Sequence, residues 1–210
     1  MKRSPTRNKL AALALLAVLP ALGLSAAASA ADGLNYNYVE GGYIATNSDV
    51  DADGWGVNAS AALSPNFSLF GSYSGQKTDA FTTGGVRVDS ANADQWRLGV
   101  GYNYGISANT DLVARAAYDK YKIDDVSAGG VNYGGNDVNG YSAEVGVRSA
   151  LTSNFEGYAL AGYEDSQDFS GDFYGRLGGQ VKFNPNWGLS GDVKFASGDT
   201  QVFIGPRFSW

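Results

Sequence analysis

The stretch SDVDADGWG, Ser48 to Gly56, places Asp49, Asp51 and Asp53 at alternate positions ahead of Gly54. Carboxylates spaced in this way can converge on one hard divalent cation, and a glycine beside them lets the chain turn sharply, as at the opening of a helix-loop-helix calcium site. The rest of such a site is missing. Ser60 stands where the bidentate Glu belongs, and the alternating run that starts at Trp55 leaves no room for a helix. The segment reads as a charged surface loop, with weak Ca2+ or Mg2+ binding by Asp49, Asp51 and Asp53 as its sharper alternative. No other cofactor is expected. The chain has no His and no Cys, which removes the usual transition-metal ligands and the usual general base beside a nucleophile. Glu144 and Glu156 remain as acid–base candidates, but each faces arginines on neighbouring expected strands, which favours an ion pair over catalysis. The glycines of GGVNYGG (129–135) open no helix and precede no Lys-Ser/Thr, so they read as a mobile loop rather than a phosphate cradle. The chain is not expected to be an enzyme.

Residues 1–30 carry the marks of an export leader. Lys2, Arg3, Arg7 and Lys9 precede the apolar run LAALALLAVLPALGL, and Ala28-Ser29-Ala30 is a small-x-small cleavage site. The run is short for a bilayer span, so cleavage before Ala31 is expected, with residues 31–210 forming one domain. Loss of the leader's four basic residues leaves 11 Lys+Arg against 21 Asp+Glu, a formal charge of −10. So acidic a chain lacks the clustered cations that nucleic acid requires. Without Cys, an exported protein must hold together without disulfides.

The elements that position these side chains are strands. Trp96, Leu98, Val100, Tyr102 and Tyr104 alternate with Gln95, Arg97, Gly99, Gly101 and Asn103, and similar runs start at Trp55, Phe173 and Trp187. Period-two alternation gives an extended strand one apolar and one polar face. Short connections (LSPNF, GISANTD, LTSNF, FNPNW) alternate with longer ones near 47–53, 75–93, 124–137, 165–171 and 197–200. The short ones have tight-turn composition. The layout predicts an all-β, antiparallel, up-and-down transmembrane barrel. Ten strands are expected, at about 34–46, 54–63, 67–74, 94–104, 111–123, 138–151, 155–164, 172–183, 187–196 and 201–210 (eight if the first pair is misread).

Each face has its own content. On the outer face Trp55, Tyr73, Trp96, Tyr104, Phe155, Tyr163, Phe173, Phe183, Trp187, Phe195 and Trp210 fall near strand ends, most bracketing pairs being eight residues apart. Eight steps of ~3.3 Å at a tilt of about 40° span roughly 20 Å, close to the apolar band between two aromatic girdles. The inner face carries Glu40, Arg97, Arg115, Glu144, Arg148, Glu156, Arg176, Lys182, Asp192, Lys194 and Arg207. Both signs recur on adjacent strands, so in a narrow barrel they pair and fill the lumen. In the first strand Glu40 is placed inward and Val39, Gly41, Tyr43 and Ala45 outward, with a bulge at Gly41-Gly42 as the alternative.

The chain ends VFIGPRFSW, alternating up to an aromatic last residue. This resembles the terminal-strand signal read by the outer-membrane barrel-assembly machinery, although Trp replaces the usual Phe and Pro206 interrupts the pattern. The whole mature chain resembles small outer-membrane barrels of the opacity and adhesin type. DGLNYNYVEGGY, DQWRLGVGYN, GYSAEVGVRS, NFEGYALAGYE and FNPNWGLSGDVKF are more closely similar to a barrel family of xanthomonad-type bacteria, described as a diffusible signal or activator of rice immunity. The resemblance implies a monomer in the bacterial outer membrane, in contact with lipid and lipopolysaccharide. Its expected role is structural or surface-interactive: envelope integrity, adhesion or biofilm behaviour. A narrow channel and a secreted or vesicle-borne signal or immune elicitor are the alternatives.

Overall fold

The computed structural model describes residues 30–167 and 170–210. Apart from Ala30, the expected leader lies outside the described residues. The strands are β1 (Tyr38–Asn47), β2 (Ala52–Ala62), β3 (Phe67–Thr78), β4 (Phe81–Thr83), β5 (Val86–Val88), β6 (Asn92–Ser107), β7 (Thr110–Ile123), β8 (Val126–Ala128), β9 (Val131–Tyr133), β10 (Asn136–Ala150), β11 (Phe155–Ser166), β12 (Asp172–Lys182), β13 (Trp187–Ala196) and β14 (Asp199–Ser209). The ten long strands form one closed antiparallel barrel, and the short β4, β5, β8 and β9 form a separate four-stranded sheet. Pairing of β1 with β14 shuts the ring, which leaves the barrel no free edge.

The short turns behave as their composition requires. In each of LSPNF, LTSNF and FNPNW the second residue's side chain accepts the backbone N–H three positions on. Ser64 Oγ takes Phe67 N at 3.1 Å, Thr152 Oγ1 takes Phe155 N at 3.0 Å and Asn184 Oδ1 takes Trp187 N at 2.9 Å. These bonds reinforce backbone bonds that close the same turns, from Ser64 N to Phe67 O at 3.1 Å, Thr152 N to Phe155 O at 3.0 Å and Asn184 N to Trp187 O at 3.3 Å, which favours the same short connection each time. The fourth turn, near Ser107, carries a bulge between Gly105 and Ser107.

The alternation becomes two faces. Along β6, Trp96, Leu98 and Val100 are 58%, 61% and 54% exposed. A row of large apolar side chains left open on one face is an outer surface made for lipid rather than water. Rings bracket it at both ends: Tyr73 lies 5.1 Å from Trp55 and 4.5 Å from Trp96 near one rim, and Phe67–Tyr102 and Trp187–Phe208 contacts of 5.0 Å lie near the other. Trp55, Trp96, Phe155, Phe173, Phe183, Trp187, Phe195 and Trp210 are exposed as expected, while Tyr73 and Tyr104 are half-buried. Tyr163 is the exception at 9%. It lies on the outer face, but its ring packs 5.0 Å from Phe173 and the backbone at Gly171 covers its hydroxyl.

Two expectations are corrected. The first strand begins at Tyr38 rather than near residue 34. The chain before it enters the mouth of the lumen, where Ala31, Leu34 and Tyr36 pack on the inward Val113 and Leu160. Glu40 does face inward and Tyr43 outward, and β1 pairs β2 without a bulge through Gly41-Gly42. The second correction concerns 75–93 and 124–137, which are not structureless loops. TTGGVRV and SAGGVNY each fold as a hairpin around a glycine pair with positive φ: 57° and 77° at Gly84-Gly85, 58° and 81° at Gly129-Gly130. Those angles belong to the two-residue turn whose twist matches paired strands, and glycine adopts them without cost. Val88 pairs with Ala128 to join the hairpins into one sheet. Strands of three residues are too short to show alternation, which is why this sheet was not legible as period-two sequence.

Candidate functional site

The inward face is a set of interlocked ion pairs. Near the mouth that receives the N-terminal segment, Glu156 is 1% exposed. Its Oε1 accepts from Arg148 Nη2 at 2.5 Å and Arg207 Nη1 at 3.2 Å, and Lys182 Nζ stands 3.3 Å from Oε2 without a well-aligned hydrogen bond. Arg207 Nε also donates to Glu40 Oε2 at 2.6 Å, and Ser190 Oγ donates to the same oxygen at 2.7 Å. The guanidiniums of Arg207 and Arg148 lie over the rings of Tyr38 and Tyr36, at 4.0 and 4.7 Å.

A second cluster centres on Glu144. Tyr174 Oη donates to it at 2.9 Å, and guanidinium nitrogens of Arg176, Arg115 and Arg97 stand 3.5, 3.8 and 3.9 Å from its oxygens. Arg97 Nε is bound more tightly to Asp119, at 2.6 Å, and Arg176 to Asp192, whose Oδ2 also accepts from Tyr158 Oη at 2.6 Å. Further toward the outer rim Lys194 Nζ donates to Glu164 at 2.6 Å and lies 4.3 Å from the Tyr174 ring. Glycine makes room for the two tyrosines. A Cβ at Gly178 would stand 2.4 Å from the Tyr158 ring, and one at Gly162 2.3 Å from that of Tyr174.

All eleven inward charges expected from sequence are therefore brought into these pairs. Asp111, Asp119 and Glu164 were not anticipated. Asp111 and Glu164 sit near strand ends, where alternation is hardest to phase, and Asp119 is flanked by Tyr118 and Lys120, a context with no clear polar face. Among the described residues, voids of about 50 Å³ beside Glu40, Arg115 and Arg207 and about 40 Å³ beside Gln95, Lys194 and Gln201 lie against the clusters, with Arg97, Arg176 and Asp192 lining both. Each has room for a few waters. Among the described residues the buried inward carboxylates are met by cations, hydroxyls, amides or backbone N–H, including Ser142 Oγ on Asp119 Oδ2 at 2.6 Å.

The acidic stretch does not assemble. Asp53 lies within β2 and is exposed, and Asp51 Oδ1 accepts from Asn47 Nδ2 at 3.1 Å and Ser48 N at 3.2 Å. Among the described residues no group of three His, Cys, Asp or Glu side chains is arranged to hold a metal. Beyond the outer rim, Asp124 ties the base of the second hairpin to β6. Its bond from Lys122, with Nζ 3.0 Å from Oδ1, and a second from Asn92 Nδ2 at 3.2 Å hold its carboxyl below the ordinary carboxylate range.

No family model matches the chain, and no curated protein matches it in sequence. Solved structures do. The translocator domain of autotransporter NalP from Neisseria meningitidis superposes with a TM-score of 0.52 at 14% identity, covering 97% of this chain and 96% of that one. The outer-membrane protein OprG from Pseudomonas aeruginosa gives 0.51 at 10% identity over 86% and 99%. This chain folds as an outer-membrane β-barrel. At such identities the likeness is one of fold, and the lumen and outer sheet have to be read from their own residues.

Proposed function

We propose that this protein is a closed, non-conducting barrel of the outer membrane that acts through its outer surface rather than its lumen or any catalytic group. The observation that carries the reading is the lumen: charges that would line an aqueous pore are instead held against one another in ion pairs across the inner face. The part of the molecule left to act is the sheet β4-β5-β8-β9, raised on the longest strands of the barrel, β6, β7 and β10. It presents Phe81, Val86, Val131 and Tyr133 as exposed apolar side chains. Adhesion, biofilm cohesion or envelope integrity, in contact with lipopolysaccharide and after insertion by the assembly machinery through β14, fits that geometry. A signalling role of the kind described for the xanthomonad-type barrels would also have to start at this sheet.

The test is planar-bilayer conductance of the refolded mature protein alongside its heat-dependent gel mobility. We expect silence from a sample whose mobility shows a folded barrel; stable, uniform current steps would overturn the reading in favour of a channel. A variant with 79–90 and 124–135 each replaced by Asn-Gly is expected to keep the barrel and lose surface adhesion or biofilm formation. Unchanged adhesion would remove the outer sheet from the mechanism.

A further inference from the structure

Among the described residues Glu40, Asp119, Glu144, Glu156 and Asp192 are buried acids with an Arg or Lys within 4 Å. Asp111 is the exception. It is 0% exposed, and its contacts are the backbone N of Ala31 at 2.9 Å to Oδ1, Tyr36 Oη at 2.8 Å and Asn103 Nδ2 at 3.4 Å to Oδ2. None of these carries a charge while Ala31 is part of a longer chain. A carboxylate buried with neutral donors alone is costly, and the rest of this lumen avoids that arrangement.

We propose that the missing cation is the α-ammonium of Ala31, created when the leader is cut away. A leader-cleaving peptidase adds water across the Ala30–Ala31 peptide bond: the water oxygen stays on the Ala30 carbonyl carbon, leaving a carboxylate, and both water protons go to the Ala31 nitrogen, which with its own hydrogen becomes an ammonium. That nitrogen already lies at ion-pair distance from Asp111 Oδ1 and becomes a charged donor where a neutral one stood. Two independent observations converge on the same atom: Ala28-Ser29-Ala30 reads as a cleavage site ending one residue before it, and the fold delivers it to the unpaired acid.

The pair also anchors a plug. Past Ala31 the chain is held by Asp32 N donating to Ala108 O at 2.8 Å, by Lys182 Nζ on Gly33 O at 2.5 Å and by Arg148 Nη2 on Asn35 O at 3.0 Å. Gly33 makes the required turn with φ of +82°. Arg148 and Lys182 both contact Glu156 as well, so the plug and the ion-pair network share side chains. Processing then completes the inner face of the barrel instead of merely releasing a leader.

The experiment begins with the intact mass of the chain purified from outer membranes, expected to correspond to residues 31–210; another terminus overturns the proposal. The mature chain is then compared with one acetylated on the Ala31 amine, with Asp111→Asn, and with both changes together. The wild-type α-amine should react with an amine-directed reagent at neutral pH at least ~10-fold more slowly than in Asp111→Asn, as a docked terminus exposed only by local opening would. Acetylation and Asp111→Asn should each lower the urea midpoint of the folded band, and their combined effect should fall short of the sum. A freely labelled wild-type amine, or an acetylated chain as stable as the free one, overturns the pairing. Acetylation leaves Asp111 in place, so the test survives if Asp111→Asn does not fold.

Discussion

Glu156 shows what a single residue contributes here. It holds Arg148, Arg207 and Lys182 together at the floor of the lumen. Removing one partner of a buried pair leaves the others' charges desolvated and uncompensated, which costs about 3–5 kcal/mol. Glu156→Ala is therefore expected to destabilise the barrel by that amount, read as a lower urea midpoint of the heat-modifiable band. The outer sheet supplies the contrast: Arg87 and Asp89 form an ion pair at 3.2 Å with side chains 74% and 56% exposed, and solvent and entropy leave such a pair with less than ~1 kcal/mol. Arg87→Ala should move the midpoint by an amount within error. Equal losses from the two variants would mean that the lumen is wetter than its burial implies.

At the scale of the element, each barrel strand is a lipid-facing row backed by a polar one, and one slip in register would exchange them. β6 carries this most plainly. Val100 lies midway between Trp96 and Tyr104 on the outer row, opposite Ala116 of β7 and Leu69 of β3. An arginine there has no inward partner to reach and meets the middle of the apolar band, where a charge costs about 2–4 kcal/mol. Val100→Arg should lose that much stability in equilibrium unfolding from lipid vesicles. A loss below ~1 kcal/mol would mean that this row is not at the bilayer midplane.

For the whole molecule the decisive event is closure. The β1–β14 register runs from Tyr38 to Glu40 and resumes at Tyr43, leaving Gly41 and Gly42 unpaired across from Gly205 and Pro206. Proline supplies no ladder donor, and the close approach of the glycine backbones leaves little else at the seam to hold it: a Cβ at Gly42 would lie 2.1 Å from Ile204 O. Both glycines still pair with Val57 and Gly56 of β2, and successive amides of a strand point to opposite neighbours, so whichever of Gly41 and Gly42 directs its N–H toward β14 should exchange faster than the other, measured by hydrogen exchange of the folded protein in detergent. Uniform protection through the seam would show that closure there is as tight as between the other strands.

What the sequence determines by itself is whatever repeats with period two over many residues: that the chain is a barrel, of ten strands or eight, that Glu40 and the arginines of the barrel strands face inward and that aromatic side chains gather near the strand ends. Alternation is a local consequence of the pleat, so it is written into neighbouring residues and can be read from them. The tertiary structure decides what depends on residues far apart in the chain. Asp111 meets Ala31, 80 positions away, only because the ring closes. Two three-residue hairpins become a sheet only because β3, β6, β7 and β10 hold their bases side by side. The inward charges meet because the barrel is narrow enough for non-adjacent strands to share an ion pair: Arg207 of β14 reaches Glu40 of the adjacent β1 and Glu156 of β11, three strands round the ring, and no spacing along one strand encodes that reach.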